Sequence, residues 1–168
     1  MDALEIIRRT IEEHHKIRGS IKLVGETVND LEAAFSLQQA QAEWAQSSVG
    51  LLSEKKDTLK RTVQGLAEGL NNHFGFEEKY LPPVFGEMLM KALIFEHNEI
   101  RRHLAECAAV VGGDIAGLPR EKLLARQSTI QNLIGGAERV VEDHASREET
   151  ILRMLERALQ QERRESSR

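Results

Sequence analysis

The stretch LKRTVQGLAEGLNNHFGFEEKY, residues 59–80, decides the fold of this chain. Its apolar residues recur in steps of three or four, which is the spacing that keeps side chains on one face of a packed helix. A histidine and a glutamate interrupt this stripe, which consists of Leu59, Val63, Leu66, Leu70, His73, Glu77 and Tyr80. The stretch therefore predicts a long helix whose buried face carries two ionisable side chains.

Breaks rich in serine, glycine and proline divide the whole chain into four segments of this kind. They predict helices over residues 2–35, 51–81, 87–111 and 120–157. Residues 36–48 are a long polar connection or an extension of the first helix, and Trp44 within them is expected to pack as a lid. The other three stripes are Leu4, Ile7, Ile11, His14, Ile21, Val28 and Phe35; Met90, Leu93, His97, Ile100, Leu104, Cys107 and Val111; and Ile130, Ile134, Ala137, Val141, His144, Glu148, Ile151 and Leu155.

Composition agrees with an all-α chain and excludes several functional classes. The 168 residues contain only 3 prolines and suit one domain, predicted over 1–160 with a charged tail at 161–168 that frays. A net charge of −4, without a basic block, argues against a nucleic-acid partner. No signal peptide and no apolar stretch of the roughly 18–20 residues that a membrane span needs is recognisable, so we expect a cytoplasmic protein without a membrane partner.

Each of the four stripes contains one histidine, and two stripes add a glutamate four residues later. A buried carboxylate is costly unless it is paired or bound to metal, and a neutral imidazole needs partners for both ring nitrogens. Core histidines with local hydrogen bonds would explain any one position better than they explain the whole set. The single cysteine, Cys107, is expected to be a small buried hydrophobe, so any metal must be held by histidines and carboxylates.

The chain also repeats itself. EHHKIR at 13–18 matches EHNEIR at 96–101, and HFGFEE at 73–78 matches HASREE at 144–149. Each half therefore supplies a lone histidine and a His-x-x-x-Glu pair, whose i,i+4 spacing puts both side chains on one helix face. Two such hairpins facing inward make a pocket of four imidazoles and two carboxylates, which suits divalent iron, manganese or zinc. Helical bundles hold di-iron centres with such bridging carboxylates.

This ordered set of motifs resembles the hemerythrin-like (HHE cation-binding) domain family, from residue 2 to about 155. The resemblance implies an antiparallel up-down four-helix bundle with two iron ions, bridged by carboxylates and, when oxidised, by an oxo group. Carried onto the matching positions, the metal ligands are His14, His73, Glu77, His97, His144 and Glu148. The first two histidines would hold one iron, the last two the other, and the glutamates would bridge them.

Two positions depart from the oxygen-carrying members of the family. Their third helix has a second histidine where this chain has Arg101. Their fourth helix has the motif HxxxxD, with the acid five residues after the histidine, whereas in this chain Glu148 is four residues after His144. Two histidines per iron leave a labile position on each metal. The resemblance therefore favours a protein that reacts with or binds O2, peroxide or nitric oxide over a reversible O2 store.

Several alternatives stay open at this point. The chain is an oxidoreductase acting on peroxide or nitric oxide with an unidentified electron donor, or a non-catalytic protein that senses O2, nitric oxide or iron or stores iron. A structural zinc bundle would use the same ligands. Among the remaining polar residues, we expect His15 and His103 at the surface, Glu78 and Glu149 beside the site, and Tyr80 either next to the metals or simply in the core.

Overall fold

The computed structural model describes residues 1–40, 48–113, 118 and 120–166, and its regular structure there is entirely helical. The four helices are α1 (Ala3–Ala40), α2 (Ser48–Tyr80), α3 (Pro82–Gly112) and α4 (Arg120–Ser166). The prediction of an all-α chain is confirmed. Over the described residues, no helix combines the length and the apolar character needed to cross a membrane.

The helices alternate in direction and form an antiparallel bundle. α1 packs against α2 and α4, and α3 packs against the same two helices. Ion pairs show how the helix ends meet. Asp2 Oδ2 at the start of α1 lies 2.8 Å from Arg163 Nη2 near the end of α4, and Asp30 Oδ2 late in α1 lies 2.9 Å from Lys55 Nζ early in α2. Only Leu81 separates α2 from α3, so those two helices turn directly back on each other.

α1 and α4 both continue past their predicted ends. α1 continues through Ala40, so part of the polar connection extends this helix; Trp44 lies outside the described residues. α4 continues through Ser166, so the expected fraying of the tail is wrong for the described residues. Side chains one turn apart support this last stretch, since Gln161 Nε2 donates to Glu165 Oε1 at 3.0 Å. The division into a bundle over 1–160 and a tail over 161–168 stays a prediction.

Gly86 separates the first turn of α3 from the rest of that helix. Its φ of 74° and ψ of 172° lie in a region that is essentially restricted to glycine. The preceding turn is closed by the Leu81 carbonyl, which accepts from the backbone N–H groups of Val84 at 2.8 Å and Phe85 at 2.9 Å. The predicted helix start at residue 87 is therefore the point where α3 resumes after this break.

Two apolar clusters form the buried core, and the ionisable stripe residues lie between them on every helix. The smaller cluster contains Ile6, Ile7, Phe76, Leu81, Met90, Leu93 and Leu152. The larger one fills the other part of the bundle and runs from Ile17 to Phe35 in α1, from Leu52 to Phe74 in α2, from Ile100 to Val111 in α3, and from Ile130 to Val141 in α4. The fold thus positions the polar residues in a layer enclosed by apolar side chains.

The predicted stripe of α3 matches its buried face throughout, whereas the other stripes include further residues that are only half-buried: Ile11, Ile21, Tyr80 and Leu155. All seven stripe residues of α3 are buried, from Met90 to Val111. In α4 the buried residue after Glu148 is Leu152, with an exposure of 0%, whereas the predicted Ile151 is only half-buried. An α-helix has 3.6 residues per turn, so a step of four after Glu148 keeps to the buried face better than a step of three at this point.

Candidate metal centre

All four helices contribute to a single buried group of polar side chains. It consists of the six predicted ligands, and each is at most 4% exposed: His14, His73, Glu77, His97, His144 and Glu148. The structure therefore brings together every residue that the sequence singled out for the site.

Glu77 lies at the middle of the group and faces three imidazoles. Its Oε1 is 2.7 Å from His73 Nε2 and 3.6 Å from His14 Nε2. Its Oε2 is 3.1 Å from His97 Nε2. The two oxygens of one carboxylate thus face histidines from both hairpins, which is the arrangement expected of a bridging carboxylate.

Glu148 makes a similar link from α4. Its Oε2 lies 3.5 Å from His14 Nε2 and 3.4 Å from His144 Nε2. The first of these histidines belongs to α1 and the second to the same helix as the glutamate, one turn earlier. Glu77 and Glu148 therefore each connect the two hairpins.

The atoms that face one another in this group lie close together, but their contacts do not have the geometry of hydrogen bonds. The four Nε2 atoms and both carboxylate oxygens of Glu77 and Glu148 are buried, and none has a hydrogen-bond partner among the described residues. Such atoms cost free energy unless something else satisfies them. Two sets of donor atoms each lie within 4.8 Å of one another: His14, His73, Glu77 and Glu148, and Glu77, His97 and His144. A cation in each set would satisfy these atoms, so the residues fit a pair of metal ions.

Three of the histidines are held from behind by a carboxylate. His73 Nδ1 lies 2.9 Å from Glu13 Oε2, His97 Nδ1 lies 2.9 Å from Glu78 Oε1, and His144 Nδ1 lies 2.8 Å from Glu96 Oε2. A carboxylate in this position fixes the ring so that Nδ1 donates and Nε2 is free to ligate a metal. The expectation that Glu78 lies beside the site is confirmed.

The sequence reasoning missed Glu13 and Glu96 in this role. A signal was present, because each directly precedes the lone histidine of its hairpin in the repeated motif EHHKIR or EHNEIR. A side chain one position before a buried residue lies beside the neighbouring helix, where it reaches the other histidine of the same hairpin.

Each of these carboxylates is also paired with an arginine on the outer side of the site. The pairs are Arg9 Nε with Glu13 Oε1 at 2.9 Å, Arg101 Nη2 with Glu78 Oε1 at 3.0 Å, and Arg147 Nη2 with Glu96 Oε1 at 3.1 Å. Arg101 also donates to Asn71 Oδ1 and Asn98 Oδ1, both at 3.1 Å. The side chain at position 101 thus belongs to the outer hydrogen-bond layer.

Phe74 closes one side of the group. It is 0% exposed, and its ring stacks on that of His97 with centroids 3.9 Å apart and an angle of 12° between the planes. It also meets the His144 ring edge-on at 5.7 Å. The stripe assignment left it out because it directly follows His73, although an aromatic residue beside a buried histidine was a usable signal.

The electrostatics of the group differ between its members. Burial works against a charge on His14, but the carboxylates of Glu148 and Glu77 raise its pKa to about 9. Burial lowers the pKa of His144 to about 4 and raises that of Glu148 to about 7. Glu77 is just as deeply buried, yet the three imidazoles around it hold its pKa well below the ordinary value. Metal binding would have to displace the protons held here.

The remaining predicted residues occupy simpler positions. His15 is exposed as expected, whereas His103 is half-buried. Tyr80 is half-buried and packs against Phe76, with ring centroids 4.9 Å apart, so it belongs to the smaller apolar cluster. Cys107 is a buried free thiol, and burial raises its pKa to about 11.

Comparison with known proteins identifies the family of the chain. No curated protein and no solved structure matches the chain. The family model described as the hemerythrin HHE cation binding domain matches residues 5–156, a range that includes all six predicted ligands and most of the four helices. The chain therefore belongs to the hemerythrin HHE cation-binding domain family.

Proposed function

We propose that the chain holds two iron ions in this centre and reacts with or binds O2, peroxide or nitric oxide there. The observation that carries the proposal is the set of buried, unpartnered donor atoms that face one another between the helices. Neutral imidazoles and carboxylates without a thiolate are a donor set that suits iron, and paired glutamates on facing helices suit two ions better than one. When bound, iron would supply redox chemistry: electrons for a small oxidising ligand, returned by an external donor.

The ligands divide between the two positions by hairpin. His14 and His73 would hold the ion in the half formed by α1 and α2, and His97 and His144 would hold the ion in the half formed by α3 and α4. Glu77 would serve both positions, because its Oε1 faces the first pair of histidines and its Oε2 faces His97. Glu148 would do the same from the other side, through the oxygen that lies between His14 and His144.

The surrounding residues control the access of water to the centre and the basicity of its histidines. Phe74 and the two apolar clusters keep bulk water away from the donor atoms, which strengthens electrostatic interactions within the site. Glu13, Glu78 and Glu96 hold three of the rings so that Nε2 points inward. These three glutamates hold and orient the histidines and would not contact the metal themselves.

Arg101 supports a reactive centre over a reversible oxygen carrier. Because residue 101 is an arginine, it adds no imidazole to the donor set. Its guanidinium instead contacts Glu78, Asn71 and Asn98. Two histidines and shared carboxylates would leave each ion with exchangeable positions for a small ligand. We therefore expect O2 to oxidise the ferrous protein without forming a complex that releases O2 again.

The test starts from metal-free protein reconstituted with ferrous iron under anaerobic conditions. We expect two irons per chain, and optical changes on adding O2, hydrogen peroxide or nitric oxide. The matched variants are His14→Ala and His15→Ala, since the two residues are adjacent and only the first is buried. Iron should be lost from the first variant and kept by the second.

Two results would contradict the two-iron centre or its assigned ligands, and a third would contradict the expected reaction with O2. One iron per chain or none in a folded protein would exclude the two-iron centre. Iron retained by His14→Ala and lost from His15→Ala would show that the helix register is wrong. A stable oxygen complex that forms and dissociates over many cycles would favour a carrier.

Peroxide consumed in many equivalents per centre with a reductant present would indicate an enzyme, whereas a single equivalent would favour a sensor or a storage protein.

A further inference from the structure

His14 differs from the other three histidines of the centre in what lies behind its ring. The Nδ1 atoms of His73, His97 and His144 each face a glutamate oxygen. His14 is 0% exposed, and its Nδ1 has no hydrogen-bond partner among the described residues. The buried hydroxyl of Thr10, one helical turn earlier, also lacks a partner there, so it does not satisfy His14. Each hairpin thus supplies two histidines and one glutamate to the centre, but His14 alone among the four histidines has no carboxylate behind its ring.

The internal repeat identifies the residue that would complete the symmetry. His14 corresponds to His97, and Glu149 corresponds to Glu78, the carboxylate that holds His97. Arg18 corresponds to Arg101, and each of these arginines contacts the matching glutamate. The distance is 2.9 Å from Arg18 Nη1 to Glu149 Oε2 and 3.0 Å from Arg101 Nη2 to Glu78 Oε1. The parts of a fourth histidine–carboxylate pair are therefore present in the chain.

Arg153 distinguishes the two halves. Its guanidinium donates to Glu149 Oε1 through Nε at 3.0 Å and also through Nη2. In the repeat, position 153 corresponds to Pro82, which has no side-chain donor, so the equivalent contact to Glu78 cannot form. Both oxygens of Glu149 are thus engaged by arginines, whereas Glu78 Oε1 accepts from His97 as well as from Arg101.

We propose that Arg153, by engaging Glu149, makes the two metal positions unequal, so that the ion at His14 and His73 is bound more weakly and leaves first. The inference rests on the proposed two-metal centre. A carboxylate behind a ligating histidine fixes its orientation and raises its basicity, and loss of that partner typically weakens metal binding by about 10–100-fold. Arg153 is therefore a positioning residue that sets which ion is labile.

The experiment uses Co2+ as the probe, because its visible absorption reports imidazole and carboxylate coordination. Protein loaded with two equivalents of Co2+ is mixed with excess EDTA, and the absorbance is followed as the metal leaves. The parent protein should release its ions in two phases whose rates differ by about 10–100-fold. In Arg153→Met, Glu149 is free to accept from His14, so the fast phase should slow about tenfold and approach the slow one.

Two further variants isolate the proposed contact. Arg157→Met, which removes another exposed arginine of α4, should release Co2+ as the parent does. Combining Arg153→Met with Glu149→Leu should restore the fast phase, because no carboxylate is then available to His14. A purely structural effect of losing Arg153 would not be reversed by a second substitution that removes a carboxylate.

The outcomes separate this inference from the proposed function. Two ions released in a single phase from the parent protein, or identical behaviour of Arg153→Met and Arg157→Met, would overturn the inference and leave the two-metal centre intact. The inference would also be overturned if the double variant released its ions as slowly as Arg153→Met does. A parent chain that binds one Co2+ or none would overturn the proposed function, and the inference with it.

Discussion

Replacing Glu148 with methionine should stabilise the metal-free protein and abolish the stabilisation that metal provides. Glu148 is 2% exposed, and neither of its carboxylate oxygens has a hydrogen-bond partner among the described residues. Without a cation, the fold therefore carries a carboxylate that has lost its hydration and gained little in return. Methionine has a similar length, is flexible, and can fill the same space between the two apolar clusters.

The size of the effect follows from the shifted pKa. Burial raises the pKa of Glu148 from 4.5 to about 7, and this difference corresponds to about 3 kcal/mol of lost stability when the group is ionised. The substitution also removes part of the attraction on a protonated His14, so we expect a net gain of about 1–3 kcal/mol. A raised carboxyl pKa destabilises the fold only above the unfolded value. The gain should therefore be small at pH 4.5 and complete above pH 7.

Urea unfolding with EDTA present, followed by circular dichroism at several pH values, measures this effect. Glu162→Met is the matched control, because Glu162 is an exposed residue of the same helix and its replacement should change the unfolding free energy by less than about 0.5 kcal/mol. When Co2+ replaces EDTA, the order should reverse, because the parent gains binding energy that the Glu148→Met variant loses. A metal-free variant that is less stable than the parent by about 1 kcal/mol or more would refute the reasoning about the buried carboxylate.

Three other perturbations have definite expected outcomes. Gly86→Ala should lower the unfolding free energy by about 1–3 kcal/mol in thermal or urea unfolding, because the backbone there requires a positive φ. The control Gly19→Ala lies in a helix with open space around it and should raise the unfolding free energy by up to about 1 kcal/mol. Equal effects of the two substitutions would contradict the positive φ assigned to Gly86. Cys107 should react with a disulfide reagent at pH 8 only as fast as the protein opens, because burial raises its pKa to about 11 and little thiolate exists; rapid labelling of the folded protein would contradict this. His97→Ala should lose bound metal and its thermal stabilisation, and His103→Ala should keep both, as measured by metal analysis and melting curves; similar losses in the two variants would argue against the assigned ligands.

The apolar periodicity predicted the fold well because helix packing leaves a regular trace in the sequence. All seven stripe residues assigned to α3 are buried, and the six candidate ligands converge in one group. Predicted stripe residues such as Ile21 and Ile151 are only half-buried, because a fixed pattern of threes and fours does not follow a 3.6-residue helix over its whole length. Local patterns thus define a buried face well and its last turns less well.

The outer layer of the centre was harder to predict, because its contacts join different helices. Glu13 reaches His73 and Glu96 reaches His144, each across a helix–helix interface. Which arginine engages which glutamate depends on side-chain directions that sequence spacing alone does not give. The competition for Glu149 becomes visible only when both halves of the repeat are compared in three dimensions.

The position of the two glutamates has a consequence for the connectivity of the chain. Glu77 of the first hairpin faces His97 of the second, and Glu148 of the second faces His14 of the first. A bound cation would therefore act as a cross-link between residues near opposite ends of the sequence, in a protein whose single cysteine cannot form an internal disulfide. Closing so long a loop removes much of the conformational entropy of the unfolded chain. Metal loading should slow the separation of the two hairpins more than the opening of either one.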